Sequence, residues 1–241
     1  PELAVKLYHS SVYASTFEIF IVDSLAMTDS IRANIANDTL VLNKVRENVY
    51  SSLLNFTNVG NKQLQVFASG WAGDTTVTRD FTVSLAKSNM DWIASNPEDD
   101  FTILGKKGAF SMDESIAIMS AAQVGENLEY KVLSRQSILN EPVMIQLRTH
   151  EMNKAIYIEN KDGIYTELPT REENGILMAY TSQMGKFSIG ERNIIVPDVT
   201  ELFPNYPNPF NGHTTIHFDL GFFDGAVQHT VVNIYNIRGQ L

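Results

Sequence analysis

The chain has 241 residues, 44% of them hydrophobic and 19% charged, a balance that builds a packed core and excludes long disorder. Acidic residues outnumber basic ones, 28 to 18, and the net charge of −10 sets aside nucleic-acid binding, which rests largely on neutralising phosphates. Cysteine is absent, which excludes disulfides and the cysteine-containing zinc motifs.

This length suits one large domain or two to three small ones. The sequence holds no apolar run near the roughly 20 residues of a membrane-spanning helix. Pro1-Glu2-Leu3 lacks the basic start and apolar stretch of a signal peptide, so an exported protein of this sequence is expected to begin inside a longer polypeptide.

In chain order, the periodicity is that of strands. Phe17 to Val22 is apolar on both faces apart from Glu18, as a central strand would be. Leu64, Val66 and Ala68 alternate with Gln63, Gln65 and Phe67, and Phe81, Val83 and Leu85 alternate with polar neighbours. Ala72-Gly73-Asp74 between these runs reads as a turn. Ser88 to Asp100 is polar, contains Asn96-Pro97 and ends on acidic residues, which predicts a linker or the irregular opening of a second domain.

Ser111-Met112-Asp113-Glu114 has the form of a helix capping box ahead of the apolar run Ile116 to Val124. Ile116 and Ile118 fit a strand equally well, and the strand-like flanks favour that reading. Val143, Ile145 and Leu147, then Leu177, Ala179 and Thr181, alternate again, with Asp162-Gly163, Asn174-Gly175 and Met184-Gly185 as turns. Ile194 to Asn211 holds Pro197, Pro204, Pro207 and Pro209, too dense for a helix or a central strand. The expected organisation is a β-sandwich over 1–87, a second over 88–196, and a short tail over 197–241.

The informative stretch is Leu202-Phe203-Pro204-Asn205-Tyr206-Pro207-Asn208-Pro209-Phe210-Asn211, followed by Thr214-Thr215-Ile216-His217-Phe218-Asp219-Leu220. The prolines bias Tyr206 and Asn208 toward extended backbone. Asn205, Asn208 and Asn211 carry short amides suited to capping turns. Leu202, Tyr206 and Phe210 are large enough to plug the stiff segment onto a core. An alternating strand is predicted to follow, through Thr215, Ile216, Phe218 and Leu220.

This stretch resembles the start of the type A sorting domain at the C-terminus of type IX secretion cargo, and is similar to the related Ig-like domain of the flagellar hook-cap protein. Val232 to Leu241 resembles the family's next strand and turn, and Gly212 stands where the family commonly has proline. The family runs on for several more strands, so only about half of such a domain is expected here. Upstream, 1–87 resembles a bacterial Ig-like module on the strength of Leu64 to Val83. Residues 101–193 resemble a β-domain that often precedes sorting domains. That likeness rests on Ala155 to Ile158, Gly163-Ile164-Tyr165, Leu168-Pro169, Leu177 to Ala179 and Gly185 to Ile189.

What the resemblance implies is an all-β chain of tandem Ig-like sandwiches ending in a partial sorting domain. It would be a non-catalytic accessory and export region of a secreted or cell-surface protein. Its partners would be the type IX outer-membrane translocon and the machinery that removes the sorting domain. A hydrolase such as a subtilisin-like protease would be carried elsewhere in the parent. The alternative is a module that binds carbohydrate or another surface polymer, for which Trp71 or Trp92 would have to stand exposed beside a second aromatic.

Other site signals are weak. His150-Glu151 opens like a zinc-protease motif, but Lys154 occupies the place of the second histidine. His213, Thr215, His217 and Asp219 would share one face of a strand, where solvated side chains are the expectation over a metal. Glu98, Asp99 and Asp100, like Asn160 and Asp162, suit calcium chemistry, yet the EF-hand pattern is missing and soluble turns are expected. The sequence lacks a Gly-x-Ser-x-Gly elbow, a phosphate loop and a dinucleotide fingerprint. No catalytic residue, metal or cofactor is expected.

Overall fold

A computed structural model describes residues 2–26, 28–36, 38–56, 58–71, 73–124, 127–194, 197, 199–209, 211–221, 230–235, 238 and 240. Every regular element among them is a strand, and the chain is all-β. In order these are β1 (Leu3–His9), β2 (Thr16–Asp23), β3 (Ser30–Ile35), β4 (Asp38–Thr39), β5 (Asn43–Arg46), β6 (Val49–Asn55), β7 (Gly60–Gly70) and β8 (Gly73–Ala86). Then come β9 (Trp92–Ser95), β10 (Phe101–Gly105), β11 (Glu114–Met119), β12 (Ala122–Val124), β13 (Asn127–Leu133), β14 (Ile138–Arg148), β15 (Lys154–Glu159), β16 (Tyr165–Glu167), β17 (Thr170–Glu173), β18 (Ile176–Gln183) and β19 (Lys186–Glu191). Two short strands close the list, β20 (Glu201–Leu202) and β21 (Phe218–Asp219).

Residues Pro1–Val196 form one compact unit and Pro197–Leu241 a second. Among its described residues the first unit holds three antiparallel sheets. A four-stranded sheet runs β1-β2-β6-β5, and a five-stranded sheet runs β17-β18-β14-β10-β9. A long sheet runs β16-β15-β19-β13-β11-β8-β7-β3-β4, with β12 paired to β13.

The alternation along the long sheet decides where the cores lie. Leu64, Val66, Phe81, Val83, Ala117 and Leu133 pack with Val5, Leu7, Phe17, Ile19 and Ile21 of the first sheet. Ala86, Ile116, Ile118, Tyr130, Val132 and Phe187 pack with Phe101, Ile103, Val143, Ile145 and Leu177 of the five-stranded sheet. On β11 and β13 the two sets differ by one position, and a one-residue step in a strand turns the side chain to the other face. The two cores therefore lie on opposite faces of one shared sheet.

Ile116 and Ile118 face one core and Ala117 the other, so β11 is buried on both faces. The apolar run that competes with a helix in sequence is thus a strand. Leu85 departs from the expected alternation and is exposed, because burial crosses from one face to the other between Val83 and Ala86. β8 and β11 pair from Phe81–Met119 to Ala86–Glu114, so the sheet runs on unbroken up to position 87.

The polar stretch 88–100 contains β9, which pairs with β10 and buries Trp92 and Ala94. Its loop is held by Asp113, whose Oδ1 accepts the Ser88 N–H at 2.8 Å and the Ser88 hydroxyl at 2.9 Å. Asn174 and Gly175 take left-handed φ of 52° and 78°, the geometry of a tight hairpin turn. Ala72 of the expected turn at 72–74 lies outside the described residues; Gly73 beside it has φ 104°.

Candidate functional site

The residues singled out in sequence at 202–220 lie in the second unit. Here β20 pairs antiparallel with β21, Glu201 opposite Asp219 and Leu202 opposite Phe218. The ladder continues as Phe203 N–H donates to the His217 carbonyl at 2.9 Å. Tyr206 and Thr215 then exchange both backbone bonds, at 3.0 and 2.9 Å. The lead-in and the return segment are thus one antiparallel ribbon.

Local chemistry explains how the ribbon turns. Proline gives no N–H, so Pro204, Pro207 and Pro209 donate nothing to a ladder, and side chains supply the bonds. Asn205 Nδ2 donates to Thr214 Oγ1 at 2.9 Å, and that hydroxyl donates to the Pro207 carbonyl at 2.9 Å. Thr200 Oγ1 accepts the Gly221 N–H at 3.0 Å at the open end. Gly212 has φ 84°, a conformation that favours glycine, where the resembling family commonly has proline. The Tyr206–Pro207 and Asn208–Pro209 peptides are cis.

Of the twelve residues singled out in sequence, the ribbon brings Leu202, Asn205, Tyr206, Thr215 and Phe218 into cross-strand contact. Pro207, Asn208, Pro209 and Asn211 form the exposed turn, Ile216 is half-buried and Leu220 exposed. Phe210 lies outside the described residues. Leu202 and Tyr206, expected to plug onto a core, are instead 65% and 78% exposed. The predicted strand over 214–220 is regular only at Phe218–Asp219 with an isolated bridge at Thr215. Leu202, Phe203, Pro204, Thr214, Ile216 and Ile234 line a groove of about 790 Å³.

The remaining candidates resolve as follows. Among the described residues no three His, Asp or Glu side chains converge on a metal-sized site. The acidic loop at 98–100 is wound around the buried Asn96 amide, which donates to Glu98 Oε2 at 2.8 Å and Asp100 Oδ1 at 2.6 Å. Asn160 Oδ1 accepts the Asp162 and Ile164 N–H groups, both at 2.9 Å, and so serves as a turn cap. Glu151 pairs with Lys154 at 3.0 Å. Trp92 is buried as a core plug, whereas Trp71 is 78% exposed at the β7–β8 tip. Among the described residues no aromatic ring pairs with Trp71. Among the described residues no helix is long and apolar enough to cross a membrane.

Comparison with known proteins adds no relative: no protein-family model, curated protein or solved structure matches the chain.

Proposed function

We propose that the chain is a non-catalytic accessory and sorting region of an exported bacterial protein, its two fused sandwiches acting as a rigid spacer and its ribbon as the address. The supporting observation is the ribbon's form. A proline-stiffened segment is hydrogen-bonded along 203–215, yet presents Leu202, Tyr206, Phe218 and Leu220 to solvent. Large apolar groups on a pre-ordered backbone bind a partner with little further loss of conformational entropy. The resemblance of 202–220 to type A sorting domains names that partner as the type IX outer-membrane translocon, with delivery to the cell surface or medium.

The test is export of the whole chain behind a periplasm-directing leader, in a host with a type IX system and in the same host lacking the translocon. The expected result is appearance at the surface or in the medium only when the translocon is present, and retention on Tyr206→Ala with Pro207→Ala. Periplasmic retention of the intact, folded chain in the translocon-bearing host refutes the proposal. A carbohydrate platform built on tryptophan finds less support, because Trp92 is buried and Trp71 has no ring partner among the described residues.

A further inference from the structure

The ladder between β15 and β19 ends at the Lys154–Glu191 pair, and Arg192, Asn193 and Ile194 run on past it. The Arg192 N–H donates to the Asn153 carbonyl at 3.0 Å. Its guanidinium donates twice to the Lys154 carbonyl, at 3.2 and 3.0 Å, and lies 3.7 Å from Glu172. Glu167, at the end of β16, accepts the Asn193 N–H on both oxygens at 3.0 Å and the Ile194 N–H at 2.8 Å. The Tyr157 hydroxyl donates to the Glu191 carbonyl at 2.6 Å and accepts from Asn193 Nδ2 at 2.8 Å. The Tyr157 ring reaches this end of β19 across Gly190, where a β-carbon would meet it at 2.6 Å.

We propose that residues 191–194 form a strap that withholds the Arg192–Asn193 bond from trypsin-like proteases, a latent processing site that opens only when the strap leaves Glu167. Sequence position makes this bond the relevant one. Arg192 is the single basic residue between Lys186 and Arg238, and the two compact units divide four residues beyond it, after Val196. A protease that cuts after arginine or lysine therefore has one point at which to sever the stretch that joins them. The cut is a hydrolysis: water adds across the peptide bond, leaving a carboxylate on Arg192 and an amine on Asn193. Such enzymes need an exposed, flexible segment whose backbone and arginine side chain can enter their cleft. Here both are engaged.

The strap is held differently from the strand before it. β19 is bonded through its backbone to β13 on one side and β15 on the other. Past Glu191, the N–H groups of Asn193 and Ile194 both go to one carboxylate. Bonds to an ionised acceptor are roughly twice as strong as neutral ones. Burial pushes the Glu167 carboxyl up, but the N–H groups of Ile194 and Asn193 outweigh it and hold the group below its ordinary value. One side chain thus fastens two successive residues. Releasing it empties neither core, since Glu191, Asn193 and Ile194 are all exposed. The gate is a property of the first unit alone.

The test is limited trypsin digestion of the full chain, with initial rates read from fragment masses. Glu167→Ala should speed the cut after Arg192 by about tenfold or more, as expected where cleavage tracks the open population. The cut after Arg79, inside β8, is the reference for global unfolding and should keep its rate. Equal rates after Arg192 in the unaltered and Glu167→Ala chains overturn the gate. Equal acceleration after Arg192 and Arg79 overturns the strap as a local device. If Glu167→Ala lowers the thermal melt, Glu167→Gln, which keeps a neutral acceptor oxygen, replaces it with a smaller rise expected. Amide exchange of the unaltered chain gives a readout without mutation: Asn193 and Ile194 should be protected, and free exchange at both overturns the proposal.

Discussion

Gly105 stands directly across the β9–β10 ladder from Trp92, and the indole fills the space where a β-carbon on Gly105 would fall. The ring also packs against Phe110, with centroids 5.4 Å apart. Gly105 is therefore required by close approach, since its backbone has no left-handed φ to accommodate. Gly105→Ala should lower stability by about 1–3 kcal/mol, the usual cost of forcing atoms into a full core. A urea midpoint shifted at constant slope would register it, and an unchanged midpoint would show that the indole moves freely.

The two tryptophans should respond in opposite ways. Trp92→Ala empties part of a core and is expected to cost about 3–5 kcal/mol. Trp92→Phe should cost far less, because the buried indole N–H finds no acceptor among the described residues and phenylalanine removes that donor. Trp71→Ala should stay within about 0.5 kcal/mol, as an exposed surface change does. Thermal melts of the three variants decide the ranking.

How much of this was legible in the sequence depends on how local the cause is. β7 and β8 read directly as alternation because each buries a single face along most of its length. β11 was ambiguous because Ala117 and its two isoleucine neighbours face different cores, which erases the period. β9 was hidden because it is only four residues long and the outward position between Trp92 and Ala94 is Ile93, which removes the apolar–polar alternation. In the ribbon, the alternation from Thr215 to Leu220 promised a longer strand. Within their own unit Phe218 and Leu220 meet no second sheet among the described residues, so the pattern had no core there to answer it.

The Asp113 carboxylate is held down to a pKa of about 2 by the Ser88 N–H and the Lys87 ammonium, with the Ser88 hydroxyl adding to them. Its folded value lies below the ordinary 3.8, so its contribution is complete above about pH 4 and is lost as pH falls through about 2. A carboxyl NMR titration should place the midpoint near 2. Asp113→Asn should remove that part of the acid dependence, and a midpoint at the ordinary value would show that the Ser88 cap does not persist in solution.

His9 ties the first sheet to β11, with Nε2 2.8 Å from the Ser115 carbonyl and Nδ1 2.7 Å from that of Ser10. Its ring also meets Phe17 edge-on at 4.6 Å. Beside it, Ser115 N–H donates to the Ala14 carbonyl at 2.7 Å, so the β1–β2 connection is docked through adjacent bonds. His9→Ala should cost about 1–3 kcal/mol by leaving a buried acceptor unpaired. It should also raise amide exchange at Ser115, while exchange at Ile145, inside the second core, changes only with global stability. Equal local and global effects would mean that the docking is not a separate contact.

Asn96 offers the sharpest separation of hydrogen bonding from charge. Its side chain is almost fully buried, its Oδ1 accepts the Phe101 N–H at 3.0 Å, and its Nδ2 serves both Glu98 and Asp100. Asn96→Ala leaves the Phe101 N–H without that acceptor and should cost about 1–3 kcal/mol. Asn96→Asp keeps the acceptor but replaces the donor with a third carboxylate between two others. If the amide's main work is to satisfy Phe101, Asn96→Asp is the milder change. If its work is to hold two carboxylates together, Asn96→Asp is the worse one and recovers as acid protonates the cluster. The two carboxylates converge on one nitrogen at 2.8 and 2.6 Å, so the second outcome is expected, and urea midpoints at neutral and acidic pH distinguish the two.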